Sequence, residues 1–263
     1  MEKKRVDVLL VEKGLAETRS KAAALVMAGQ VTANGNKVEK AGMSYASDTV
    51  FELIGQQRYV SRGGEKLAGA LAAFDFDVSG KVCVDVGSST GGFTDCLLQA
   101  GAAKIYCIDV GKGILHWKLR SDKRVVVMEE TNARHVQKLP EHTGLVVCDA
   151  SFISLKVLLP VFSGWLDADG TIITLIKPQF EAGRVDVAKG KGVVRDAAIH
   201  RRVLRNIAQF ALEQGFTIRG LVRSTLLGPK GNVEFLLWLD RSGAGIDIEP
   251  AINQILGDEP ADQ

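Results

Sequence analysis

The apolar and polar positions beyond about residue 80 follow two alternating patterns. Short runs of Val, Ile and Leu are followed by stretches in which apolar residues return every three or four positions. The first pattern is typical of buried strands and the second of amphipathic helices. The runs that we predict to be strands are residues 82–86, 104–109, 124–128, 145–148, 171–176, 217–223 and 233–239. Because these apolar strands alternate with helices, we expect a parallel sheet covered on both faces.

The last two predicted strands break this alternation. Only residues 224–232 separate them, and a connection without a crossover helix predicts an antiparallel pair. The clearest helix begins after an N-cap at Asp196 and ends at Gly215. Residues 183–195 are rich in Gly, Lys and Arg and predict either a mobile loop near a site or a plain surface connection.

The first 60 residues show a different pattern. Residues 6–13 and 19–28 predict two short helices, the second with Thr18 as its N-cap and Gly29 as its stop. The dipeptide Asn34-Gly35 predicts a tight hairpin turn between short strands. These elements indicate a small α+β domain.

A polar, glycine-bearing segment at residues 55–64 marks the domain boundary. We therefore expect one domain over residues 1–60, a second over residues 61–240, and a tail over residues 241–263. The tail contains one basic and five acidic residues, whereas the net charge of the whole chain is +2. The two domains are mildly basic, which permits a nucleic-acid partner without requiring one.

The composition narrows the class of protein further. Hydrophobic residues make up 46% and charged residues 24%, as in an ordinary globular protein. The apolar run near the start is too short for a signal peptide, and no run is long enough to span a membrane, so we expect a cytoplasmic protein. The four cysteines stand singly, which predicts buried reduced thiols and no metal site.

A glycine-rich loop follows the first predicted strand of the second domain. Gly87, Gly91 and Gly92 allow a sharp turn, and a ligand can approach the amides at the start of the next helix. The spacing differs from the G-x-G-x-x-G of dinucleotide sites. Asp85 lies inside the strand, and Asp109 ends the next strand, where an acid suits the hydroxyls of an adenosine ribose. We predict a nucleotide-like ligand; the alternative is an ordinary strand–helix turn.

The pattern Asp-x-Gly-x-x-x-Gly-Gly, followed by an acid at the end of the next strand, resembles motifs I and II of class I S-adenosylmethionine-dependent methyltransferases. That resemblance implies a Rossmann-like α/β fold with a seven-stranded sheet containing one antiparallel strand, and S-adenosylmethionine as cofactor. The residues expected to hold the cofactor are Asp85, Gly87, Ser88, Gly91, Gly92, Phe93, Asp109, Asn132, Ala133 and Asp149.

The first domain has a resemblance of its own. A helix, an Arg-Ser-Lys-Ala helix, Gly-Gln-Val and then Asn-Gly-x-x-Val are similar to the small RNA-binding module of a small-subunit ribosomal protein, tyrosyl-tRNA synthetases and pseudouridine synthases. By that resemblance, the basic start of the helix lies against RNA phosphates. The residues expected to bind RNA are Arg5, Arg19, Lys21, Lys37 and Arg62. The alternative is a small helical cap domain with a solvated basic edge.

Four further motifs resemble the TlyA family, whose haemolysin-labelled members join this RNA-binding module to an FtsJ-like ribose 2′-O-methyltransferase. They are Tyr59-Val-Ser-Arg-Gly-Gly-Glu-Lys66-Leu, Asp149-Ala-Ser-Phe-Ile-Ser-Leu, Leu175-Ile-Lys177-Pro-Gln-Phe-Glu and Gly228-Pro-Lys-Gly-Asn-Val-Glu234. The resemblance implies a catalytic tetrad of Lys66, Asp149, Lys177 and Glu234. It also implies ribosomal RNA or ribosomal subunits as partner, with cytidine ribose as acceptor. From the residues themselves we expect no membrane partner, and no stable protein partner is evident.

The chemistry of this reaction explains the two lysines. A ribose hydroxyl is a weak nucleophile, so its attack on a sulfonium methyl benefits from a positioned base or from a cation that stabilises the alkoxide. A lysine acts as a base only when neutral, and a second ammonium nearby favours that state. We expect Lys177 to lie closest to the hydroxyl with Lys66 as its partner, and Asp149 and Glu234 to orient them.

Two other functions compete with this interpretation. A catalytically silent RNA-binding protein with a methyltransferase fold would be expected to have lost the glycine loop or a member of the tetrad, and both are present. A membrane-lytic protein would need an exposed amphipathic helix. The strongest such pattern, over residues 196–214, is expected to cover the sheet instead.

Overall fold

The computed structural model describes residues 3–55 and 58–257 and divides into two compact units, Met1–Arg58 and Tyr59–Gln263. The boundary predicted within residues 55–64 includes Gln56 and Gln57, which lie outside the described residues. Each unit has its own hydrophobic core.

The first unit contains two short helices and five short strands. The hydroxyl of Thr18 accepts a hydrogen bond from the Lys21 amide at 3.2 Å, and Asn34 and Gly35 both have positive φ in the predicted hairpin turn. The pairing of β1 with β4 and of β2 with β5 is not apparent in the sequence, because each strand has only three residues. The elements are β1 Lys3–Arg5, α1 Val6–Glu12, α2 Arg19–Met27, β2 Val31–Ala33, β3 Asn36–Lys37, β4 Ser44–Ala46 and β5 Phe51–Leu53.

The second unit is built on a seven-stranded sheet. Its elements are α3 Gly63–Phe74, β6 Val82–Val86, α4 Gly92–Gln99, β7 Lys104–Ile108, α5 Trp117–Arg120, β8 Val125–Met128, β9 Thr143–Cys148, α6 Leu155–Ser163, β10 Leu166–Ile176, α7 Pro178–Glu181, α8 Arg184–Lys189, α9 Ala197–Glu213, β11 Thr217–Arg223, β12 Phe235–Asp240 and α10 Ile248–Leu256. The strand order is β11-β12-β10-β9-β6-β7-β8, with β12 antiparallel to both neighbours. The predicted sheet with one antiparallel strand near its end is therefore confirmed.

Helices cover the sheet on both faces, as the apolar strands predict. On one face α9 buries Val203, Leu204 and Ile207 in the same cluster as Phe162 of α6. On the other face the buried residues include Leu67 of α3 and Leu97 of α4. The apolar stripe of α9 is thus used to cover the sheet. Among the described residues, no helix has both the length and the apolar character needed to cross a membrane.

Two segments differ from the prediction. The segment 183–195 contains the short helix α8, which its Gly- and Lys-rich sequence conceals. The acidic segment from residue 241 is not simply a tail, because α10 packs Ile252 fully out of solvent against the larger unit. Asp247 caps this helix by accepting a hydrogen bond from the Glu249 amide at 3.1 Å. This helix was not predicted, because its apolar stripe lies within only nine residues.

All four cysteines are buried and free, as predicted. Burial raises the pKa of the Cys83 and Cys148 thiols to about 12, so neither thiol ionises near neutral pH. These side chains pack in the core and offer no reactive thiolate.

Candidate active site

Two adjoining cavities open at the carboxyl ends of the parallel strands, where ligands bind in such sheets. The first, of about 500 Å³, is lined by residues that include Asp109, Ile114, Asn132 and Ala133. The second, of about 330 Å³, is lined by residues that include Arg62, Lys66, Ser88, Gly92, Phe93 and Lys177. Gly87, Ser89 and Asp149 line both cavities. Within the described ranges, no group of three or more His, Cys, Asp or Glu side chains is arranged to hold a metal ion.

The glycines of the loop have different roles. Gly87 has a φ of +78°, and a Cβ there would lie 3.0 Å from the backbone of Ala150, so a side chain would narrow the junction of the two cavities. Gly91 has a φ of +99°, and a Cβ there would lie 2.1 Å from Leu119. Gly91 lines neither cavity. Gly91 thus serves the tight packing of the loop, and a ligand contact at Gly91 stays a prediction.

Asp85 also differs from its expected role. It is fully buried, its Oδ2 accepts a hydrogen bond from the Thr94 hydroxyl at 2.6 Å, and it lines neither cavity. Burial raises the pKa of Asp85 from 3.8 to about 7, and the charge of Asp149 adds to this effect. Since the pKa is raised on folding, ionisation of Asp85 lowers stability as the pH rises through that interval. Asp85 ties β6 to α4 beneath the loop instead of touching a ligand.

Asp109 lies at the end of β7, at the rim of the first cavity. Its two carboxylate oxygens accept hydrogen bonds from the amides of Ser89 at 2.8 Å and Gly111 at 2.7 Å. A carboxylate has about four acceptor sites, so lone pairs remain for a ligand. Asn132 and Ala133 line the same cavity, and the side chain of Asn132 caps a short turn by accepting from the Arg134 amide.

Glu129, which the sequence analysis missed, holds the wall of the first cavity. Its carboxylate accepts hydrogen bonds from the Gly113, Ile114 and Leu115 amides and from the Arg120 guanidinium, at 2.6 to 3.1 Å. Arg120 first, and then these amides, lower the pKa of Glu129 to about 2. An acid directly after the third strand is the signal that could have found it.

Replacing Glu129 with Gln is expected to speed hydrogen exchange at the Gly113, Ile114 and Leu115 amides, because a neutral amide is a weaker acceptor than a carboxylate. In the unmodified chain the pKa of Glu129 is lowered, so its carboxylate stays ionised and protects these amides above pH 4.5. The protection is lost as the pH falls toward about 2. Hydrogen exchange followed by NMR or mass spectrometry at neutral pH measures it. Glu130→Gln is the control, because the Glu130 carboxylate is next to Glu129 in the chain and pairs with Lys112 at the surface. Equal exchange in Glu129→Gln and the control would contradict this role.

The four residues of the expected tetrad form two ion pairs. Lys66 Nζ lies 2.6 Å from Glu234 Oε2, and Lys177 Nζ lies 2.6 Å from Asp149 Oδ1. Lys66, Lys177 and Glu234 are 8%, 7% and 1% exposed. Lys66, Lys177 and Asp149 line the second cavity, whereas Glu234 is not part of its lining. The cavity wall thus presents two paired ammonium groups, each with its own carboxylate.

The Lys177 ammonium makes one ion pair and donates two hydrogen bonds within the chain. Besides the Asp149 carboxylate, it donates to the Asp149 carbonyl oxygen at 3.1 Å and to the Ser151 hydroxyl at 2.9 Å. A hydroxyl that entered the second cavity and bonded to Lys177 would replace one of these partners. Ser151 was not among the predicted residues, although it lies inside the quoted Asp-Ala-Ser-Phe motif.

The residues expected to bind RNA are only partly brought together. In the first unit the buried Asp7 carboxylate binds the guanidinium groups of Arg5 at 3.0 Å and Arg19 at 3.1 Å, which places these arginines side by side. Lys21 pairs with Glu17 at the start of α2. The Lys37 side chain lies against Gly29, beyond the other end of α2 from Arg19 and Lys21. In the second unit Arg62 is exposed at the second cavity.

Two models of known protein families match this chain. The FtsJ-like methyltransferase model matches residues 59–241, and the S4 domain model matches residues 4–46. The chain belongs to the TlyA family of FtsJ-like methyltransferases. The FtsJ-like domain contains both cavities and both ion pairs. The S4 domain contains Asp7 with its partners Arg5 and Arg19, which we call the Asp7 cluster.

Relatives of this TlyA-family chain match it over most of its length. The Bacillus subtilis protein YqxC, named as a presumed rRNA methyltransferase, is 48% identical and covers 92% of this chain and 88% of its own. The Mycobacterium tuberculosis protein TlyA, named a 16S/23S rRNA (cytidine-2′-O)-methyltransferase, is 43% identical and covers 97% and 98%. A solved structure labelled a hemolysin from Streptococcus thermophilus is 42% identical, with a TM-score of 0.73 over 97% of this chain and 95% of that one.

Proposed function

We propose that this chain transfers a methyl group from S-adenosylmethionine to the ribose 2′-hydroxyl of a cytidine in ribosomal RNA. The observation that supports it most is the Lys177–Asp149 ion pair, because Asp149 lines both cavities and Lys177 lines the second. A donor in the first cavity and an acceptor in the second would therefore meet beside this pair.

The first cavity fits the cofactor. Its volume of about 500 Å³ lies within the usual range of small-molecule sites, roughly 300 to 1,000 Å³. Val110, Ile114, Ile153 and Leu158 supply an apolar lining for an adenine, and Asp109 retains acceptor sites for ribose hydroxyls. When bound, S-adenosylmethionine supplies an electrophilic methyl group on its sulfonium. Gly87 leaves the passage toward the second cavity open.

The second cavity fits the acceptor ribose. Lys177 would hold the 2′-oxygen by hydrogen bonding and stabilise negative charge as it develops there. When Lys177 is a neutral amine, its Nζ can also take up the proton that leaves the hydroxyl, and the ammonium formed is then paired with the Asp149 carboxylate. The Lys66–Glu234 pair adds a second ammonium to the same wall while its carboxylate compensates the buried charge.

The choice of ribosomal RNA is supported by the S4 domain and by the names of the relatives. Arg5 and Arg19 offer two adjacent guanidinium groups for phosphates. In the FtsJ-like domain Phe152, which is 90% exposed and lies beside the first cavity, offers an aromatic ring on which an RNA base could stack.

The cofactor assignment predicts a loss of binding in Asp109→Ala. Removing the carboxylate removes the acceptor sites for the ribose and also releases the Ser89 and Gly111 amides that shape the loop. Isothermal titration should show saturable binding of S-adenosylmethionine to the unmodified chain and at least about tenfold weaker binding to the variant. Asp122→Asn, at a surface carboxylate that pairs with Arg124, is the control and should bind normally. Tight NADH binding without any response to S-adenosylmethionine would contradict the assignment.

The Asp7 cluster predicts that removing one negative charge weakens RNA binding, although the change in net charge alone would strengthen it. Asp7→Asn removes a negative charge near RNA, yet it should weaken RNA binding because Arg5 and Arg19 lose the carboxylate that fixes them side by side. The bound arginines, Arg5 first, lower the pKa of Asp7 to about 2, so the wild-type cluster persists at neutral pH. Filter binding to ribosomal RNA at several salt concentrations measures the affinity and its salt slope.

Glu39→Gln removes an exposed acid from the same unit and is the matched control, for which unchanged or slightly tighter binding is expected. Thermal melting of both variants checks that the unit stays folded at the assay temperature. Tighter RNA binding by Asp7→Asn than by Glu39→Gln would contradict a positioning role for Asp7.

A further inference from the structure

Gln179 contacts the Glu234 carboxylate of the tetrad, and neither the motifs nor the relatives' names assign it a role. Its Nε2 donates to Glu234 Oε1 at 3.3 Å, while Lys66 donates to the other carboxylate oxygen, Oε2, at 2.6 Å. Glu234 is 1% exposed and lies against Gly228, where an added Cβ would be 2.0 Å from Oε1. The carboxylate of Glu234 is thus held between two donors and a close backbone wall.

One short helix joins the two ion pairs. Lys177 is the N-cap residue of α7, and Gln179 lies in its single turn. Lys177 reaches the Asp149 carboxylate, while Gln179 reaches the Glu234 carboxylate. A displacement of α7 would therefore change both pairs together, and the Gln179 side chain is the direct link between this helix and the Lys66–Glu234 pair.

The Gln179 side chain contains a buried polar atom that packing alone does not require. Its Oε1 is buried and has no hydrogen-bond partner among the described residues. A buried polar atom without a partner lowers stability, and methionine has a similar length without that atom. Methionine would remove this orphan atom but would also leave the buried Glu234 Oε1 without its donor, so its two effects on stability oppose each other.

We propose that Gln179 is a positioning residue for methyl transfer, which fixes the Glu234 carboxylate and through it the Lys66 ammonium. This inference rests on the proposed 2′-O-methyltransferase function. The neutral amide can donate to Glu234 without adding charge to the pair. An acid at the same position would compete with Glu234 for the proton donors, and methionine would leave Glu234 Oε1 without its donor.

Two variants separate positioning from packing. Gln179→Met should change the melting temperature little, because its two effects on stability oppose each other, yet reduce the rate of methyl transfer to ribosomal subunits by about tenfold, with unchanged affinity for S-adenosylmethionine. Gln179→Glu adds a negative charge that favours the protonated state of the lysines. The acid limb of its pH–rate profile should therefore move to higher pH by about one unit. Gln209→Met and Gln209→Glu are matched controls, because Gln209 donates to the Glu213 carboxylate at 3.1 Å on the exposed face of α9.

The outcomes separate this inference from the function on which it rests. Slower transfer by Gln179→Met at an unchanged melting temperature, together with the shifted profile of Gln179→Glu, would support positioning. Full activity of Gln179→Met, or an unshifted profile of Gln179→Glu beside active wild-type protein, would overturn positioning alone. Absence of transfer by the wild-type protein would overturn the proposed function and this inference with it.

Discussion

Replacing Lys177 with Ala is expected to abolish measurable methyl transfer, with a loss of ~10² to 10⁴ in rate, while the affinity for S-adenosylmethionine stays nearly unchanged. Lys177 lines the second cavity and not the first, so its removal leaves the proposed cofactor contacts in place. The substitution also leaves the Asp149 carboxylate without its 2.6 Å partner. Tritium transfer to RNA and isothermal titration measure the two quantities separately.

Lys177→Arg should not restore the activity. A guanidinium does not deprotonate at usable pH, and its planar fork does not reproduce the tetrahedral ammonium that donates to the Asp149 carbonyl oxygen and the Ser151 hydroxyl. Lys156→Ala, at a surface lysine on α6, is the control and should transfer at the wild-type rate. Wild-type turnover in Lys177→Ala would rule out the proposed mechanism, even with the fold and the cofactor established.

Glu234→Ala is expected to destabilise the FtsJ-like domain and to slow methyl transfer. It leaves the Lys66 ammonium, whose side chain is 10% exposed, without its counter-ion. Breaking a buried pair from one side costs about 3 kcal/mol, which corresponds to a fall in melting temperature of roughly 6 to 12 °C. Glu234→Gln should be milder, because it keeps the shape and a hydrogen-bonding group. Thermal unfolding followed by circular dichroism measures the stability.

The double variant Lys66→Met with Glu234→Met separates stability from activity. It removes both charges together, so most of the lost stability should return while methyl transfer stays low. Glu130→Ala breaks an exposed ion pair with Lys112 and should cost at most about 1 kcal/mol. A melting temperature for Glu234→Ala equal to that of Glu130→Ala would contradict the importance of the buried pair.

The fold of the larger unit could be predicted from its sequence because its elements are local and strongly periodic. Apolar runs such as residues 82–86 and 171–176 indicate strands by themselves, and the connection at 224–232 is too short for a crossover helix. By contrast, β1 and β4 have three residues each and pair across about 40 positions. No local sequence pattern predicts such a pairing. The helix α10 was not predicted because its apolar stripe is short.

The candidate site was predictable in its residue types and not in its pairings. The quoted motifs contain all four members of the tetrad, but the pairing of Lys66 with Glu234 joins positions 168 residues apart. Ser151 and Gln179 lie inside those motifs, yet their roles depend on partners 26 and 55 residues away. Asp85 and Gly91 pack beneath the loop, and motif spacing alone cannot distinguish such a residue from a ligand contact.

The central claim is tested most directly by identifying the methylated nucleoside. Ribosomal subunits from cells that lack the gene would be incubated with the purified chain and methyl-labelled S-adenosylmethionine, and the RNA would be digested to nucleosides for mass spectrometry. The proposed function predicts label in 2′-O-methylcytidine with the wild-type chain and none with Lys177→Ala. Label on a nucleobase, or equal label with both proteins, would contradict it.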